Sequence, residues 1–311
     1  MDQDVGAGAT PGVGAAGAVD SDAQRFRALP GTLYVVATPL GNLRDMTLRA
    51  IDVLASADTI AAEDTRVSSV LLRSYGIATR PLSLHQHNES SRAAELVSLL
   101  RAGRSVALVS DAGTPAVSDP GAMVVRAVRD AGFPVVPIPG PNAAIAAISA
   151  AGLRAERFMF IGFLPAGAKA RRETLELVAQ VPVALVIYEA PHRVRATVTL
   201  LTETLDDRRT LVVAREITKK FETITRTPLA EAPAWFDADP NHQRGELVLI
   251  VDVLPDDAAT PQPSSIDAKR LLIALLAELP PARAARVASV ATGLPRDVLY
   301  AQALAAKGER R

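Results

Sequence analysis

Polar and small residues that could hold a ligand are concentrated in a loop that follows a short apolar run. Val106–Val109 has the length and composition of a buried parallel strand, and Asp111 comes just after it. Open α/β sheets bind ligands at the carboxyl ends of their strands, and Gly113 lets backbone approach a ligand because it has no Cβ. A strand-to-helix turn capped by Ser118 or Asp119 would account for any one of these residues, but not for the whole loop. The spacing therefore predicts a ligand site around Asp111.

Three other segments repeat this design in the first half of the chain. Thr38-Pro-Leu-Gly-Asn42, Glu63-Asp-Thr-Arg66 and Pro139-Gly-Pro-Asn142 each follow a short apolar run. Strands and helices alternate with short connections, which predicts a largely parallel sheet with helices on both faces. The carboxyl ends of parallel strands share one edge of the sheet, so we expect these loops to meet there.

The second half of the chain continues the alternation with more antiparallel pairing. Tyr188-Glu-Ala-Pro-His-Arg193 and Arg215-Glu-Ile-Thr-Lys-Lys220 place charges just after predicted strands, where they could meet phosphates or simply face solvent. The cleft between the halves is the natural ligand site. The pattern further predicts a helix capped by Ser90 or Ser91, a helix over residues 118–130, a helix from Pro191, and strands over 211–214, 221–226 and 246–251.

Composition divides the 311 residues into five parts. Residues 1–24, rich in Ala and Gly, are expected to be a disordered tail. Residues 25–150 and 151–255 form two α/β lobes, and residues 256–265, which contain Pro261 and Pro263, read as a linker. Residues 266–311 form a basic module of three short helices, with eight basic and four acidic residues in a protein of zero net charge. A basic end suits docking on a polyanion, although a solvated helical face would have the same composition.

Several classes of protein are disfavoured. No glycine is followed by lysine, which excludes a Walker A loop, and Gly6-Ala-Gly8 lacks the third glycine of a dinucleotide site. His85, His87 and Glu89 could share one face, but no further strong ligand accompanies them, so we expect a surface or RNA contact and no metal. The absence of cysteine, of a long apolar stretch and of a basic N-terminal region favours a cytoplasmic protein without a membrane span.

Six motifs, in order, carry a resemblance to a known family. They are Thr38-Pro-Leu-Gly-Asn42, Glu63-Asp-Thr-Arg66, Ser110-Asp-Ala-Gly-Thr-Pro115, Pro139-Gly-Pro-Asn142, Tyr188-Glu-Ala-Pro-His-Arg193 and Arg215-Glu-Ile-Thr-Lys219. Together they resemble the ribosomal RNA small-subunit methyltransferase I family of the tetrapyrrole methylase superfamily, over residues 31–253. The resemblance implies an α/β, two-lobed tetrapyrrole-methylase-like (class III methyltransferase) fold, with the C-terminal helices as a small added module.

The resemblance also implies an activity and a set of ligand contacts. The activity is 2′-O-methylation of the ribose of a decoding-centre cytidine in 16S rRNA of the 30S subunit, by a homodimer that uses S-adenosyl-L-methionine. Carried over by motif, the residues that would hold this methyl donor are Pro39, Asp111, Gly113, Thr114, Asn142, Ala143, Tyr188, Ala214 and Gly245.

Methyl transfer to a ribose hydroxyl needs alignment above all, with help from a base or a cation at the oxygen. The candidates for that role are unranked: Glu63, Asp64, Arg66 and Lys219. An ion pair within the first three is an equally good interpretation of their spacing. Two other functions stay open, a methyltransferase acting on a small tetrapyrrole-like substrate and a non-enzymatic ribosome-binding factor.

Overall fold

The computed structural model describes residues 26–254 and 268–308. The predicted tail and linker therefore lie outside the described residues. Within the described ranges, two five-stranded sheets and their helices form the body of the protein, and three further helices follow at the C-terminal end.

The first sheet is parallel, as the short βα connections predict. Its strands are β1 (Leu33–Val36), β2 (Thr59–Ala62), β3 (Pro81–Ser83), β4 (Val106–Val109) and β5 (Val135–Ile138). They are arranged in the order β3-β2-β4-β1-β5, so β4 and its loop lie at the centre of the sheet. The helices that alternate with them are α1 (Leu48–Ser56), α2 (Thr65–Ser74), α3 (Glu89–Arg101), α4 (Ala122–Asp130) and α5 (Ala143–Ala151).

The second sheet is mostly antiparallel, which confirms the prediction for this half. Its strands are β6 (Phe158–Phe163), β7 (Ala184–Glu189), β8 (Thr210–Arg215), β9 (Thr223–Pro228) and β10 (Leu247–Val251). The order is β6-β7-β10-β8-β9, and only β6 and β7 run parallel. Three helices accompany this sheet: α6 (Ala168–Val178), α7 (Val194–Thr204) and α8 (Ala232–Ala238).

Helix α5 joins the two sheets. It follows the last strand of the first sheet, yet Ala144, Ala147 and Ala151 pack on the second sheet against Val186 and Val212. Alanine side chains let the helix lie close to the strands. The beginning of α5 is thereby placed between the two sheets, at the carboxyl end of β5.

Four predicted boundaries are wrong by a few residues. Helix α3 begins at Glu89 rather than at a Ser90 or Ser91 cap, because Asn88 is its N-cap and the Glu89 side chain is buried under α4. Helix α4 begins at Ala122 and not at Ser118, whose φ of 64° is incompatible with a helix. Helix α7 begins at Val194, since residues 191–193 form a turn, and β9 begins at Thr223 rather than at residue 221.

The C-terminal module is the predicted group of three helices, α9 (Ala268–Glu278), α10 (Pro281–Thr292) and α11 (Arg296–Gly308). Gly293, with φ of 72°, ends α10 and starts the turn into α11. The module has a core of its own, built from Leu272, Ala284, Ala285, Ala288, Leu299 and Ala303. Within the described ranges, no helix combines the length and the apolar character that crossing a membrane requires.

Candidate active site

A cavity of about 390 Å³ lies between the two sheets. Its volume is within the range of small-molecule sites, and it lies at the carboxyl ends of the first sheet's strands. Seven of the residues singled out from the sequence line it: Glu63, Asp111, Gly113, Thr114, Asn142, Ala143 and Tyr188.

Hydrogen bonds tie together three of the four loops of the first sheet, those that contain Thr38, Gly113 and Pro141. The Thr38 N–H donates to the Gly113 carbonyl at 2.8 Å, and the Gly113 N–H donates back at 3.0 Å. The Thr114 hydroxyl donates to the Pro141 carbonyl at 3.0 Å. Gly113 has φ of 78°, and a Cβ there would lie 3.3 Å from Leu40 Cδ2. The predicted meeting of the loops is thus confirmed, and glycine is required at its centre.

The first turn of α5 forms one wall of the cavity. The Asn142 side chain accepts the Ile145 N–H at 3.1 Å, and the Tyr188 hydroxyl, from the second sheet, accepts the Ala144 N–H at 3.1 Å. The Ala143 N–H makes no hydrogen bond with any described residue, although Ala143 lines the cavity. A helix N-terminus with an unused N–H is suited to an anionic group such as a carboxylate.

Three carboxylates of the first lobe face the cavity without an ion pair to any residue in the described ranges. Burial, together with Asp111, Asp119 and Asp64 nearby, raises the pKa of Glu63 to about 7. Burial and Asp111 raise the pKa of Asp119 to about 6, against an opposing Ser110 hydroxyl. Burial also raises the pKa of Asp111, although its Oδ1 accepts the Asp64 N–H at 3.0 Å. Partly desolvated like charges of this kind attract a cation or a proton.

Asp119 is the functional candidate that the sequence reasoning missed. The sequence indicates only a capping role for Asp119, but α4 begins three residues later and Asp119 lines the cavity instead. The available signal was its place in the same loop as Asp111. The cavity is also lined by Leu40, Glu189 and Ile217, which lie inside the six motifs but were given no role. Four lining residues lie outside every motif and outside the Asp111 loop: Phe163, Glu246, Leu247 and Val248.

Asp64 and Arg66 form the ion pair that their spacing allowed. The Asp64 carboxylate accepts the Arg66 N–H at 2.8 Å as the N-cap of α2, and Arg66 Nη2 lies 2.7 Å from its Oδ2. Hydrogen bonds from the Arg66 side chain and backbone lower the pKa of Asp64 to about 2. The Arg66 side chain is 90% exposed, and neither residue lines the cavity.

Lys219 lies at the rim of the cavity between two carboxylates. Its Nζ is 2.9 Å from Glu216 Oε1 and 3.0 Å from Glu246 Oε2, and Glu246 lines the cavity. Burial opposes the charge, but the hydrogen bonds that Lys219 donates to the two carboxylates raise its pKa overall. Its stem passes over Gly41, where a Cβ would lie 2.4 Å from Lys219 Cγ. Lys219 therefore connects a loop of the first lobe to a loop of the second.

Three of the residues predicted to hold the methyl donor lie behind the residues that line the cavity. Pro39 precedes Leu40, which lines the cavity, and Ala214 is buried in β8 opposite the lining residue Val248. Gly245 has φ of 81°, and a Cβ there would lie 2.5 Å from the Glu216 carboxylate. These residues shape the wall rather than face the cavity.

The histidine cluster does not form a metal site. Glu89 is buried and accepts the N–H groups of Gly121 and Met123, both at 2.9 Å, so it holds the start of α4. His85 and His87 are exposed beside each other, with ring centroids 5.9 Å apart. No group of three potential metal ligands of the types His, Cys, Asp and Glu occurs in residues 26–254 and 268–308.

Two family models match the chain. Residues 32–233 match the Tetrapyrrole (Corrin/Porphyrin) Methylases, and residues 262–307 match the RsmI C-terminal HTH domain. The first range contains most of the cavity lining, and the second contains α9, α10 and α11 nearly complete. The two matches follow the division into a two-sheet body and a helical module.

Solved structures of low sequence identity share the fold. The methyltransferase CobJ has a TM-score of 0.56 at 23% identity, covering 72% of this chain and 94% of that one. Uroporphyrin-III C-methyltransferase from Thermus thermophilus, complexed with S-adenosyl homocysteine, has a TM-score of 0.51 at 21% identity, covering 71% and 97%. At these identities the likeness concerns the fold alone.

Curated relatives of similar length are much closer. Ribosomal RNA small subunit methyltransferase I of Escherichia coli O157:H7 is 46% identical over 278 residues, which are 89% of this chain and 96% of the relative. The protein of the same name from Pseudomonas aeruginosa is 47% identical over 281 residues, with 90% and 99% covered. The chain therefore belongs to the ribosomal RNA small subunit methyltransferase I family, within the tetrapyrrole methylases.

Proposed function

We propose that this protein uses S-adenosyl-L-methionine to methylate the ribose 2′-hydroxyl of a decoding-centre cytidine in the 16S rRNA of the 30S subunit. The observation that carries the proposal is the cavity between the sheets, built from the loops that relate this chain to relatives named as small-subunit rRNA methyltransferases. The site supplies what a methyl donor and a weak nucleophile need.

The residues of the cavity fit the methyl donor chemically. The donor brings a methyl group on a positively charged sulfur, which is a good leaving group. Carboxylates at Glu63, Asp111 and Asp119 complement a cation, and the Ala143 N–H complements a carboxylate. Apolar side chains suited to an adenine ring line the second-lobe side, namely Phe163, Ile217, Leu247 and Val248.

Glu63 is the strongest candidate for the base among the four residues proposed from the sequence. It faces the cavity, and its pKa of about 7 lets it accept a proton near neutral pH. In the proposed step it takes the proton of the ribose hydroxyl while the oxygen forms its bond to the methyl carbon and the carbon–sulfur bond breaks. Asp64 and Arg66 are paired outside the cavity, and Lys219 is neutralised by two carboxylates.

An RNA substrate is supported by the C-terminal module. Arg283, Arg286 and Arg296 are exposed and form no ion pair with any described residue. Three exposed arginines suit phosphate contacts, and a small tetrapyrrole-like substrate would not need them. The family relatives also favour rRNA over that alternative. We propose further that the protein acts in the cytoplasm as a homodimer, as the superfamily resemblance implies.

A methyl-transfer assay tests the proposal. Purified protein and labelled donor are incubated with 30S particles that lack the modification, with naked 16S rRNA and with a tetrapyrrole precursor, and labelled RNA is mapped by mass. Label on the ribose of a single cytidine is the expected result. Label on the precursor alone would favour the small substrate, and donor binding without any transfer would favour a binding factor. Light scattering of the same sample checks the homodimer.

A further inference from the structure

The loop between β8 and β9, residues 216–222, presents an aromatic ring to solvent beside the cavity. Phe221 is 65% exposed, and the Lys220 ammonium lies over its ring, 5.5 Å from the centroid. Lys220 is itself exposed and forms no ion pair with the described residues. Exposure of an aromatic ring to water beside a cation is energetically unfavourable, and the hydrophobic core does not require it.

Backbone strain and hydrogen bonds fix the shape of this loop. Glu216 and Thr218 have φ of 52° and 67°, values that residues with a Cβ seldom adopt. Arg215 Nη2 donates to the Phe221 carbonyl at 3.0 Å and to Thr223 Oγ1 at 3.1 Å. The Phe221 backbone is thereby held from the neighbouring strand, so the exposed ring is preorganised rather than loosely attached.

The same loop forms part of the cavity wall. Ile217 lines the cavity, and Lys219 pairs with Glu246, which also lines it. Lys219 thus points inward to the rim, whereas the next two residues are exposed. Ile217 in the cavity wall and Phe221 on the surface are four residues apart in the same loop, so a strand of substrate with one ribose in the cavity could reach this surface with a neighbouring nucleotide.

We propose that Lys220 and Phe221 form a docking platform for an unpaired nucleotide that flanks the target ribose. The base stacks on the Phe221 ring, and the Lys220 ammonium contacts a phosphate of the same strand. Single-stranded nucleic acids are commonly bound by this combination of an aromatic face and a cation, because every base has a π face and every linkage an anion. The platform rests on the proposed function, since it requires an RNA substrate.

A nucleotide fits this surface better than a protein partner does. The ring offers stacking area, but the adjacent ammonium has to be neutralised on contact, and one nucleotide supplies both the stacking base and the anion. A second copy of the chain would have to bring a carboxylate and an apolar group to the same point. That outcome is distinguishable because it would change the molecular mass in solution.

The test compares Phe221→Ala with Phe158→Ala, a control at an exposed phenylalanine. Phe158 is 45% exposed and begins β6, five residues before Phe163 at the cavity end of the strand. The measurements are kcat/KM for unmodified 30S particles, donor affinity by calorimetry and mass by light scattering. We expect Phe221→Ala to lower kcat/KM about 5- to 100-fold with donor affinity and mass unchanged. Phe221→Trp is expected to restore it to within a few-fold, and Phe158→Ala to match wild type.

Lys220→Gln isolates the charge on the platform. We expect it to weaken particle binding modestly and to reduce the salt dependence of binding by about one ion. A kcat/KM of Phe221→Ala equal to that of wild type, or a change in the molecular mass of this variant in solution, would contradict the proposed platform. Failure of wild-type protein to methylate any RNA would instead refute the proposed function.

Discussion

The two lobes contribute carboxylates to the same cavity in opposite states. On the first-lobe side, Glu63, Asp111 and Asp119 face the cavity without an ion pair to the described residues, and burial raises the pKa of each. On the second-lobe side, Glu246 is paired with Lys219, and buried Glu189 with Arg193 at 3.3 Å. The first-lobe carboxylates remain able to bind a cation or a proton. The charges of the second-lobe carboxylates are already balanced by Lys219 and Arg193, and these ion pairs hold loops in place.

This difference indicates that the two lobes have different roles in the site. Groups whose charge is unfavourable in the folded protein are the ones that a ligand can stabilise, and they are found where function requires them. Paired groups contribute shape: breaking the Arg193–Glu189 pair would leave a buried charge without its partner, and the Lys219–Glu246 pair joins two loops at the rim. We therefore infer that the first lobe supplies the electrostatics of catalysis and the second lobe supplies the geometry.

The largest expected effect comes from removing the proposed base. Glu63→Gln keeps the size of the side chain but cannot take a proton, so kcat for 30S methylation should fall about 10²- to 10⁴-fold. Single-turnover assays measure this, with donor affinity expected to stay within a few-fold. Glu176→Gln, at an exposed position on α6, is the control. In wild type, kcat/KM for the methyl donor should rise with pH and level off above about 7, which is the pKa of Glu63 in the protein without bound donor. A variant that kept a tenth of the activity would remove Glu63 from the chemistry.

A smaller effect is expected on the second-lobe side, where Gly41→Ala would displace the Lys219 stem. The added Cβ would lie 2.4 Å from Lys219 Cγ, so the pair with Glu246 has to open. Overpacking of this kind costs about 1–3 kcal/mol, and we expect donor affinity measured by calorimetry to weaken about tenfold. In a Lys219→Ala background the same change should cost less than twofold, because the clash is gone. An equal loss of donor affinity in the wild-type and Lys219→Ala backgrounds would show that Gly41→Ala does not act through the Lys219–Glu246 pair.

The C-terminal arginines lie outside the cavity, so variants at these positions should change substrate binding without changing either lobe's part of the site. The double variant Arg283→Gln, Arg286→Gln should weaken 30S binding several-fold at low salt and reduce the salt slope by about two ions, since two phosphate contacts are lost. Donor affinity should not change. Filter binding over a salt series measures this, and an unchanged slope would exclude these arginines from docking.

The smallest effect concerns stability. Glu63 has a folded pKa of about 7 and an ordinary value of 4.5, so the folded state holds its proton over that interval. Its contribution to stability is therefore fully present below about pH 4.5 and is lost as the pH rises from 4.5 to about 7. Glu63→Gln should match wild type near pH 4 and exceed it by roughly 1–2 kcal/mol near pH 8, after allowance for solvent screening. Denaturant unfolding at the two pH values measures this, and equal stability at pH 8 would contradict the desolvation of Glu63.

The sequence predicts the strand ends and the loops well, because these features are local. Apolar runs followed by Gly, Pro and Asp placed Asp111, Gly113 and Asn142 at one edge of the sheet, where they line one cavity. The start of α4 could not be predicted, because Ser118 has the type of a helix cap and its positive φ is imposed by the surrounding loop.

Contacts between distant segments were also beyond the sequence pattern. Lys219 reads as a free cation, and its pairing follows from the meeting of its loop with Gly41 and Glu246 in the folded chain. Helix α5 reads as part of the first lobe, yet its alanines pack on the second sheet. Asp119 is also positioned by a contact between distant segments, since the Oγ of its neighbour Ser118 lies against Gly162 of β6.

Proton release on donor binding tests the division between the lobes most directly. Calorimetry at pH 6.5, in two buffers of different ionisation enthalpy, compares S-adenosyl-L-methionine with S-adenosylhomocysteine, which lacks the charge on sulfur. We expect release of roughly half a proton with S-adenosyl-L-methionine and clearly less with S-adenosylhomocysteine, because a cation lowers the pKa of Glu63 and Asp119. Glu63→Gln and Asp119→Asn should reduce the release, and Glu246→Gln should leave it unchanged. Equal proton release for the two compounds, or a loss of release in Glu246→Gln alone, would contradict the account.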